Sequence, residues 1–280
     1  MIVDSHAHFW TDPPSGKDVL HAERAPIEVD EFVRHMDAAG VDKLIQITRG
    51  VMGFDNSYSL YGASKYPDRI RVLLRFDVHA PDLAGRLRAA RDNPLVVGLR
   101  LMTIAPDEAR NFDDEATLAP LWAECEKIGM PISLYAPERS RMVAGIAERH
   151  PGLSLIIDHV GMRVFNIFAD PPPSMEDWPN LLALKRFPNV AIKVSSIPEA
   201  MVEKAPPFPK SVARMREIYD AVGPDRMVWG SNYPPILQVC SYRAAIDFVR
   251  ESCAFLSEDE KSRILGRNSL RILGLPWQPE

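Results

Sequence analysis

Short apolar segments alternate with longer amphipathic segments along the whole sequence, and this alternation restricts the fold more than any other feature. Eight apolar runs predict strands, at residues 1–3, 41–48, 71–74, 96–101, 131–134, 153–158, 190–194 and 227–229. The segments between them carry apolar residues at helical spacing, as at Phe32, Val33 and Met36, and predict helices. A regular alternation of strands and helices is typical of a parallel sheet surrounded by helices.

Eight such units in 280 residues predict an α/β fold of the (β/α)8 TIM barrel type. An open nucleotide-binding sheet would usually have fewer units or a glycine-rich phosphate turn, and the sequence contains no GxGxxG motif. No change in composition marks a linker, so we expect residues 1–280 to form a single domain. A polar segment at residues 11–26 is long enough to lie over a site.

Charge and cysteine content restrict the class of partner. The net charge of −5 provides no basic surface for nucleic acid, so a small molecule is the expected partner. Cys125, Cys240 and Cys253 have neither metal-type spacing nor a disulfide framework, which suits a reducing compartment. No signal peptide and no run of 18 apolar residues occurs, so we expect a cytoplasmic protein without a membrane span. Whether the chain forms a homo-oligomer stays open.

Polar residues that follow each predicted strand are candidates for the site, because active sites of TIM barrels lie at the C-terminal ends of the strands. His6 and His8 are two residues apart, so in an extended chain both imidazoles project to the same side. Such a pair can hold a divalent ion or move protons, although a His-x-His motif alone is weak evidence. The other strand ends supply Thr48, Arg49, Arg75, Asp77, Arg100, Tyr135, Asp158, His159, Lys193, Ser195, Ser231 and Asn232.

Several of these residues also have a purely structural interpretation. Asp77 could cap the following helix, and Ser195 could close a turn. Arg100 could pair with a buried acidic residue as part of the scaffold.

Four motifs resemble those of the amidohydrolase superfamily of TIM-barrel hydrolases. They are His6-Ala7-His8 after the first strand, Gly98-Leu99-Arg100 at the fourth, Asp158-His159-Val160-Gly161 at the sixth and Gly230-Ser231-Asn232-Tyr233-Pro234 at the eighth. The final segment, residues 264–275, is similar to the usual tail of these chains, so the resemblance spans almost the whole length. The most similar branch contains 2-pyrone-4,6-dicarboxylate lactonase and sugar-acid lactonases.

This resemblance implies hydrolysis of a lactone or a related carboxylated carbonyl compound. His6, His8 and His159 would hold one divalent ion, zinc or manganese, or polarise the carbonyl oxygen directly. Some members of the branch work without a required metal. Guanidinium groups suit a substrate carboxylate, which gives this role to Arg49, Arg75 and Arg100. Trp10 and Tyr135 would supply aromatic walls or a hydroxyl donor.

The sequence departs from the superfamily pattern at two positions. Tyr135 follows the fifth strand where a histidine is common, and Asn232 stands where the family usually has a catalytic aspartate. A carboxamide can hydrogen-bond water but cannot take its proton. Three interpretations follow: an inactivated Asp→Asn form, a natural enzyme with another base such as His159, or a descendant that binds a small molecule without turnover. A non-oxidative decarboxylase of the same superfamily is a further alternative, which the missing histidine of strand five disfavours.

Overall fold

The fold is a sheet of eight parallel strands in sequential order, wrapped into a nearly closed barrel. It is seen in a computed structural model that describes residues 1–11, 26–104, 112, 115–164 and 174–277, so most of the polar segment at residues 11–26 lies outside the described residues. The strands are β1 (Val3–Ala7), β2 (Lys43–Ile47), β3 (Ile70–Arg75), β4 (Val96–Met102), β5 (Ile132–Tyr135), β6 (Leu155–Ile157), β7 (Val190–Lys193) and β8 (Met227–Val228). The predicted (β/α)8 TIM barrel is confirmed.

Helices occupy the connections between strands and pack around the barrel. They are α1 (Val29–Ala39), α2 (Ser57–Lys65), α3 (Leu83–Asp92), α4 (Glu115–Ile128), α5 (Ser140–Arg149), α6 (Trp178–Ala183), α7 (Ile197–Ala200), α8 (Pro209–Val222), α9 (Tyr242–Asp247), α10 (Glu258–Ser262) and α11 (Asn268–Leu273). The four-residue helix α7 and the last helix, α11, were not predicted. In the part of the chain that the structure describes, every helix is too short or too polar to cross a membrane.

The first strand was predicted to end at Val3 but continues to Ala7. The apolar run stops at Val3, whereas Asp4 and His6 remain in the strand, where buried partners contact the Asp4 carboxylate and Nδ1 of His6. The extension also closes the barrel, since the backbone N–H of Asn232 donates to the His6 carbonyl at 2.7 Å and Ala7 pairs with Tyr233.

The barrel interior changes from apolar to polar along the strands. Its N-terminal half is filled by residues such as Ile156 of β6 and Ala191 of β7, which pack with the C-terminal segment around Trp277. Side chains two positions apart on a strand face the same side, so Asp158 and Lys193 form the next layer of the interior. The charged layer therefore lies next to the apolar layer, toward the end of the barrel that contains His6.

Candidate active site

The three predicted histidines lie together at the C-terminal end of the barrel. The ring centroids of His6 and His159 are 4.4 Å apart, and those of His6 and His8 are 5.1 Å apart. All three side chains are buried. His159 reaches this position through a left-handed backbone conformation, with φ of 52°, at the first turn after β6. The parallel arrangement predicted from the sequence thus brings side chains 153 residues apart into one cluster.

A buried charge cluster lies behind His6. The Lys193 ammonium is 2.8 Å from Asp158 Oδ1 and donates to Ser133 Oγ at 2.9 Å, while Ser133 Oγ donates to Asp158 Oδ1 at 2.6 Å. Arg100 Nε donates to the other carboxylate oxygen, Asp158 Oδ2, at 3.1 Å. One carboxylate therefore faces two cations. Through its Nε, Arg100 therefore pairs with a buried acidic residue, as its structural interpretation predicted.

The charge cluster determines the ionisation of Asp158. Burial by itself would raise the pKa of this carboxyl group, but the Lys193 ammonium, His6 and Arg100 hold the pKa well below its ordinary value. The carboxylate is therefore ionised at neutral pH. Burial lowers the pKa of Lys193, and the Asp158 carboxylate opposes that change. Neither group can lose its partner without leaving a charge buried in the barrel.

The hydrogen bonds of the histidines indicate which nitrogen carries the proton. His8 Nδ1 is 2.9 Å from the Ile47 carbonyl, which can only accept, so Nδ1 carries the hydrogen and Nε2 a lone pair. His6 Nδ1 is 3.4 Å from Lys193 Nζ and 3.5 Å from Asp158 Oδ1. An ammonium can only donate, so its contact with Nδ1 favours a ring proton on Nε2, whereas the contact with the Asp158 carboxylate favours a ring proton on Nδ1. Among the described residues nothing hydrogen-bonds to this buried Nε2.

Burial also keeps the three imidazoles uncharged. It lowers the pKa of His6 and of His8 well below the ordinary value, and it lowers the pKa of His159 to about 3. Neighbouring positive groups act in the same direction, among them Arg100 for His8 and His159. Neutral imidazoles can donate one hydrogen bond and accept one. His159 Nδ1 forms such a bond with Ser195 Oγ at 2.9 Å.

The residues predicted to bind substrate fall into two groups. Tyr135 and Arg100 adjoin the histidines, since the Tyr135 ring is 5.2 Å from that of His159 and the Arg100 guanidinium is 5.6 Å from the Tyr135 ring. The Tyr135 hydroxyl accepts from the backbone N–H of Val164 at 3.1 Å.

The second group contains the remaining arginines. The Arg49 guanidinium stacks on the Trp10 ring, 3.8 Å from its centroid. Arg49 also lowers the pKa of His8, so Arg49 and Trp10 lie near the three histidines. Arg75 Nη1 donates to the Gly50 carbonyl at 2.9 Å, and its backbone N–H donates to Asn56. The structure thus links Arg75 to the segment that follows β2.

Asn232 lies at the other side of His6, where the loop after β8 meets the loop after β7. Its side-chain amide donates to Ser196 Oγ at 2.9 Å. Glu199, in helix α7, is buried next to both residues, and their side chains act to lower its pKa. Burial is the larger effect and raises the pKa of Glu199 to about 7. The sequence analysis missed Glu199; the available signal was an acidic residue between apolar residues soon after a strand.

Asp4 was also missed, because the first strand was predicted to end before it. Its Oδ1 accepts from the backbone N–H groups of His6 at 3.0 Å and Ser231 at 2.9 Å. Its Oδ2 accepts from the Tyr242 hydroxyl at 2.6 Å and from Ser231 Oγ at 2.5 Å. The two bonds from Ser231 fix β1 against the loop that carries Asn232, and the bond from Tyr242 ties β1 to helix α9.

The donor set fits a metal ion poorly. Among the described residues, no group of three or more His, Cys, Asp or Glu side chains is arranged to hold one. A lone pair on His6 Nε2 would require the other tautomer, with Nδ1 donating to Asp158 instead of accepting from Lys193. The positive charges of Lys193 and Arg100 also oppose a further cation at this place. We therefore derive no chemical step through a metal.

Comparison with known proteins places this barrel in a family. The family model described as amidohydrolase matches residues 3–275, so the chain belongs to the amidohydrolase family. It is a lactonase-like member. L-fucono-1,5-lactonase of Burkholderia multivorans is 26% identical over 99% of this chain and 97% of that protein. 4-Sulfomuconolactone hydrolase of Hydrogenophaga intermedia is 24% identical over 88% of this chain and 78% of that protein.

A solved structure shows the same fold. An amidohydrolase from Burkholderia multivorans with bound zinc superposes with a TM-score of 0.79, at 23% identity, over 99% of this chain and 100% of that one. The resemblance to sugar lactonases that the sequence motifs predicted is confirmed by the family match and by the similarity to L-fucono-1,5-lactonase.

Proposed function

We propose that the chain hydrolyses a lactone that carries a carboxylate or another anionic group. The observation that supports this most directly is the buried Nε2 of His6, which has no hydrogen-bond partner among the described residues. In the tautomer in which Nδ1 accepts from Lys193, this Nε2 carries a proton to donate. A donor of this kind fits a carbonyl oxygen that becomes negative when water attacks the neighbouring carbon. The two lactone-hydrolysing relatives support the same reaction class.

The proposed reaction consumes one water molecule. The water oxygen bonds to the carbonyl carbon, one of its protons passes to a base, and His6 Nε2–H donates to the oxyanion. In this proposal the Lys193 ammonium donates to His6 Nδ1 and so favours the tautomer with the proton on Nε2. The ring C–O bond then breaks, the ring oxygen receives a proton, and the product is a hydroxy acid. Preorganised donors in a buried site need little reorganisation as charge develops, which is why such a site lowers the barrier.

The identity of the base is a separate question. Asn232 cannot accept the water's proton at its carboxamide. His159, the alternative base, would accept a proton only weakly, since burial lowers its pKa to about 3. The reaction therefore needs another proton acceptor near Asn232.

Arg100 is the proposed contact for the anionic group of the substrate. Its Nε is bound to Asp158, so the opposite edge of the guanidinium, Nη1 and Nη2, would face a carboxylate. Arg49, stacked on Trp10, would offer a second cation on an aromatic surface. The predicted divalent ion, zinc or manganese, remains a prediction for this chain.

A panel of lactones tests the proposal. We expect hydrolysis of lactones that carry a carboxylate, and a higher KM for neutral sugar lactones of similar size, measured by acid release with a pH indicator. Arg100→Lys should keep a cation for Asp158 but lose the planar edge, and should raise KM for the carboxylated lactone about 10-fold or more while KM for the neutral lactone changes little. Arg91→Lys, at an exposed position of α3, is the control.

Other outcomes identify the alternatives. Release of carbon dioxide without ring opening would establish the decarboxylase. Saturable binding of the lactones without turnover by the protein or by Asn232→Asp would establish the binding descendant.

A further inference from the structure

Glu199 is a buried carboxylate that the family motifs do not include. It lies in the short helix α7, six residues after the end of β7, and only 2% of its surface is exposed. Connections that follow barrel strands form the C-terminal mouth, where the chemistry of TIM barrels takes place. Burial of a carboxylate is costly unless it is paired or has a function, so its position calls for an explanation.

Among the described residues, no cation acts on the Glu199 carboxylate. The groups that act on its pKa are its own backbone N–H and the side chains of Ser196 and Asn232. Neither carboxylate oxygen has a hydrogen bond of normal geometry within the described part of the chain. The titratable group that faces it from the next connection is the Cys240 thiol, whose pKa is raised to about 12 by burial and by the Glu199 charge. Cys240 is therefore neutral, and the carboxylate has only weak partners.

Glu199 does not act as an ordinary helix cap. The sequence Ser196-Ile197-Pro198-Glu199 has the spacing of a capping box, in which the serine side chain would bond to the backbone of the helix. In α7 the Ser196 side chain forms no cap hydrogen bond. Its Oγ instead accepts from the Asn232 side chain at 2.9 Å. The serine thus links the two connections rather than closing a helix.

We propose that Glu199 accepts the proton of the attacking water, in place of the carboxylate that is absent at position 232. This inference rests on the proposed lactone hydrolysis. The Glu199 carboxylate would take one proton as the water oxygen bonds to the carbonyl carbon. It would return that proton to the ring oxygen as the ring C–O bond breaks, so the carboxylate is regenerated. The Asn232 carboxamide, held by Ser196 and by its backbone bond to the His6 carbonyl, would orient the water.

The ionisation of Glu199 is compatible with this role. A general base works best when its pKa is near the operating pH, and burial raises the pKa of Glu199 to about 7. The active form is the carboxylate, so kcat should rise with pH through this region and level off above it.

The test compares Glu199→Gln, Asn232→Asp and the double variant by kcat and KM across pH. We expect Glu199→Gln to lower kcat about 10²- to 10⁴-fold, with KM nearly unchanged, and to remove the rise of kcat around pH 7. In the Glu199→Gln background, Asn232→Asp should restore kcat at least about 10-fold, because it returns a carboxylate to the same contact. Glu148→Gln, at an exposed position of α5, is the matched control and should behave as the unaltered chain.

A purely structural role gives a different pattern. Glu199→Gln would then change the melting temperature but leave the pH profile in place, and the double variant would not recover. If Glu199→Gln fails to fold, Glu199→Asp replaces it in the test. A reduced kcat that still rises near pH 7 would support Glu199 as the general base, and a kcat profile without that rise would overturn this role.

The two proposals fail in distinguishable ways. Equal hydrolysis by the unaltered chain and by folded Glu199→Gln would overturn the role of Glu199 and leave the lactonase intact. Absence of lactone hydrolysis by the unaltered chain would overturn both.

Discussion

Replacing Lys193 by methionine tests the charge cluster that holds His6. Methionine has a similar length and fills the same space, but it removes the ammonium that contacts Asp158 at 2.8 Å and His6 Nδ1 at 3.4 Å. Removing one partner of a buried ion pair typically costs about 3–5 kcal/mol of folding free energy. Arg100 and Ser133 still contact the carboxylate, so the lower value, about 3 kcal/mol, is expected here.

This loss corresponds to a measurable change in melting temperature. Unfolding entropy is about 2.1 cal/mol/K per residue, so for 280 residues a loss of about 3 kcal/mol lowers the melting temperature by roughly 5 °C. Scanning calorimetry measures it. Lys185→Met, at an exposed position after α6, removes the same charge at the surface and is the control, for which we expect no comparable decrease.

The same substitution should alter the pH dependence of stability. The folded pKa of Asp158 lies well below the unfolded value, so its stabilisation is complete above about pH 4 and is lost as the pH falls through the folded pKa. Without Lys193 that pKa rises, so Lys193→Met should lose stability at a higher pH on acidification than the unaltered chain.

The catalytic effect follows from the tautomer of His6. Without Lys193, Asp158 is the remaining contact of Nδ1 among the described residues, so Nδ1 would carry the proton and Nε2 would no longer be a donor. We expect kcat for lactone hydrolysis to fall about 10²-fold, as when one oxyanion donor is removed. A melting temperature within 1–2 °C of the unaltered chain (a loss of less than roughly 1 kcal/mol), together with an unchanged kcat, would refute the proposed role of the cluster.

Two further predictions concern backbone packing and metal content. A methyl group at Gly230 would lie 2.7 Å from His6 Cβ and 2.9 Å from its backbone nitrogen, so Gly230→Ala should displace His6, cost about 1–3 kcal/mol by overpacking and lower kcat. Gly145→Ala, where the nearest atoms belong to the flexible Arg149 side chain, should be neutral or stabilising, and an active, equally stable Gly230→Ala protein would contradict the geometry. Zinc should be removed easily by dialysis against a chelator, because the positive charges of Lys193 and Arg100 oppose a cation. Elemental analysis after dialysis measures the zinc content. Stoichiometric zinc would show that the charge cluster rearranges around the metal.

The sequence by itself determined the barrel and the end at which the histidines lie. Short apolar runs predict the strands, and helical spacing between them predicts the helices, from local residues alone; parallel strands then share one C-terminal end. This is why the sequence alone predicts that His6, His8 and His159 lie together. The likeness to lactonases also followed from short motifs, because each is local in the chain.

Only the tertiary structure decided how the polar residues pair. Arg100, Asp158 and Lys193 come from three strands, and their distances depend on the register and closure of the barrel. The same packing keeps Asp4 and His6 inside β1, although their polarity predicted the end of that strand. Glu199 shows the limit most clearly: its residue type and spacing match an ordinary helix cap. Its burial beside Asn232 results from two connections that meet at the mouth of the barrel.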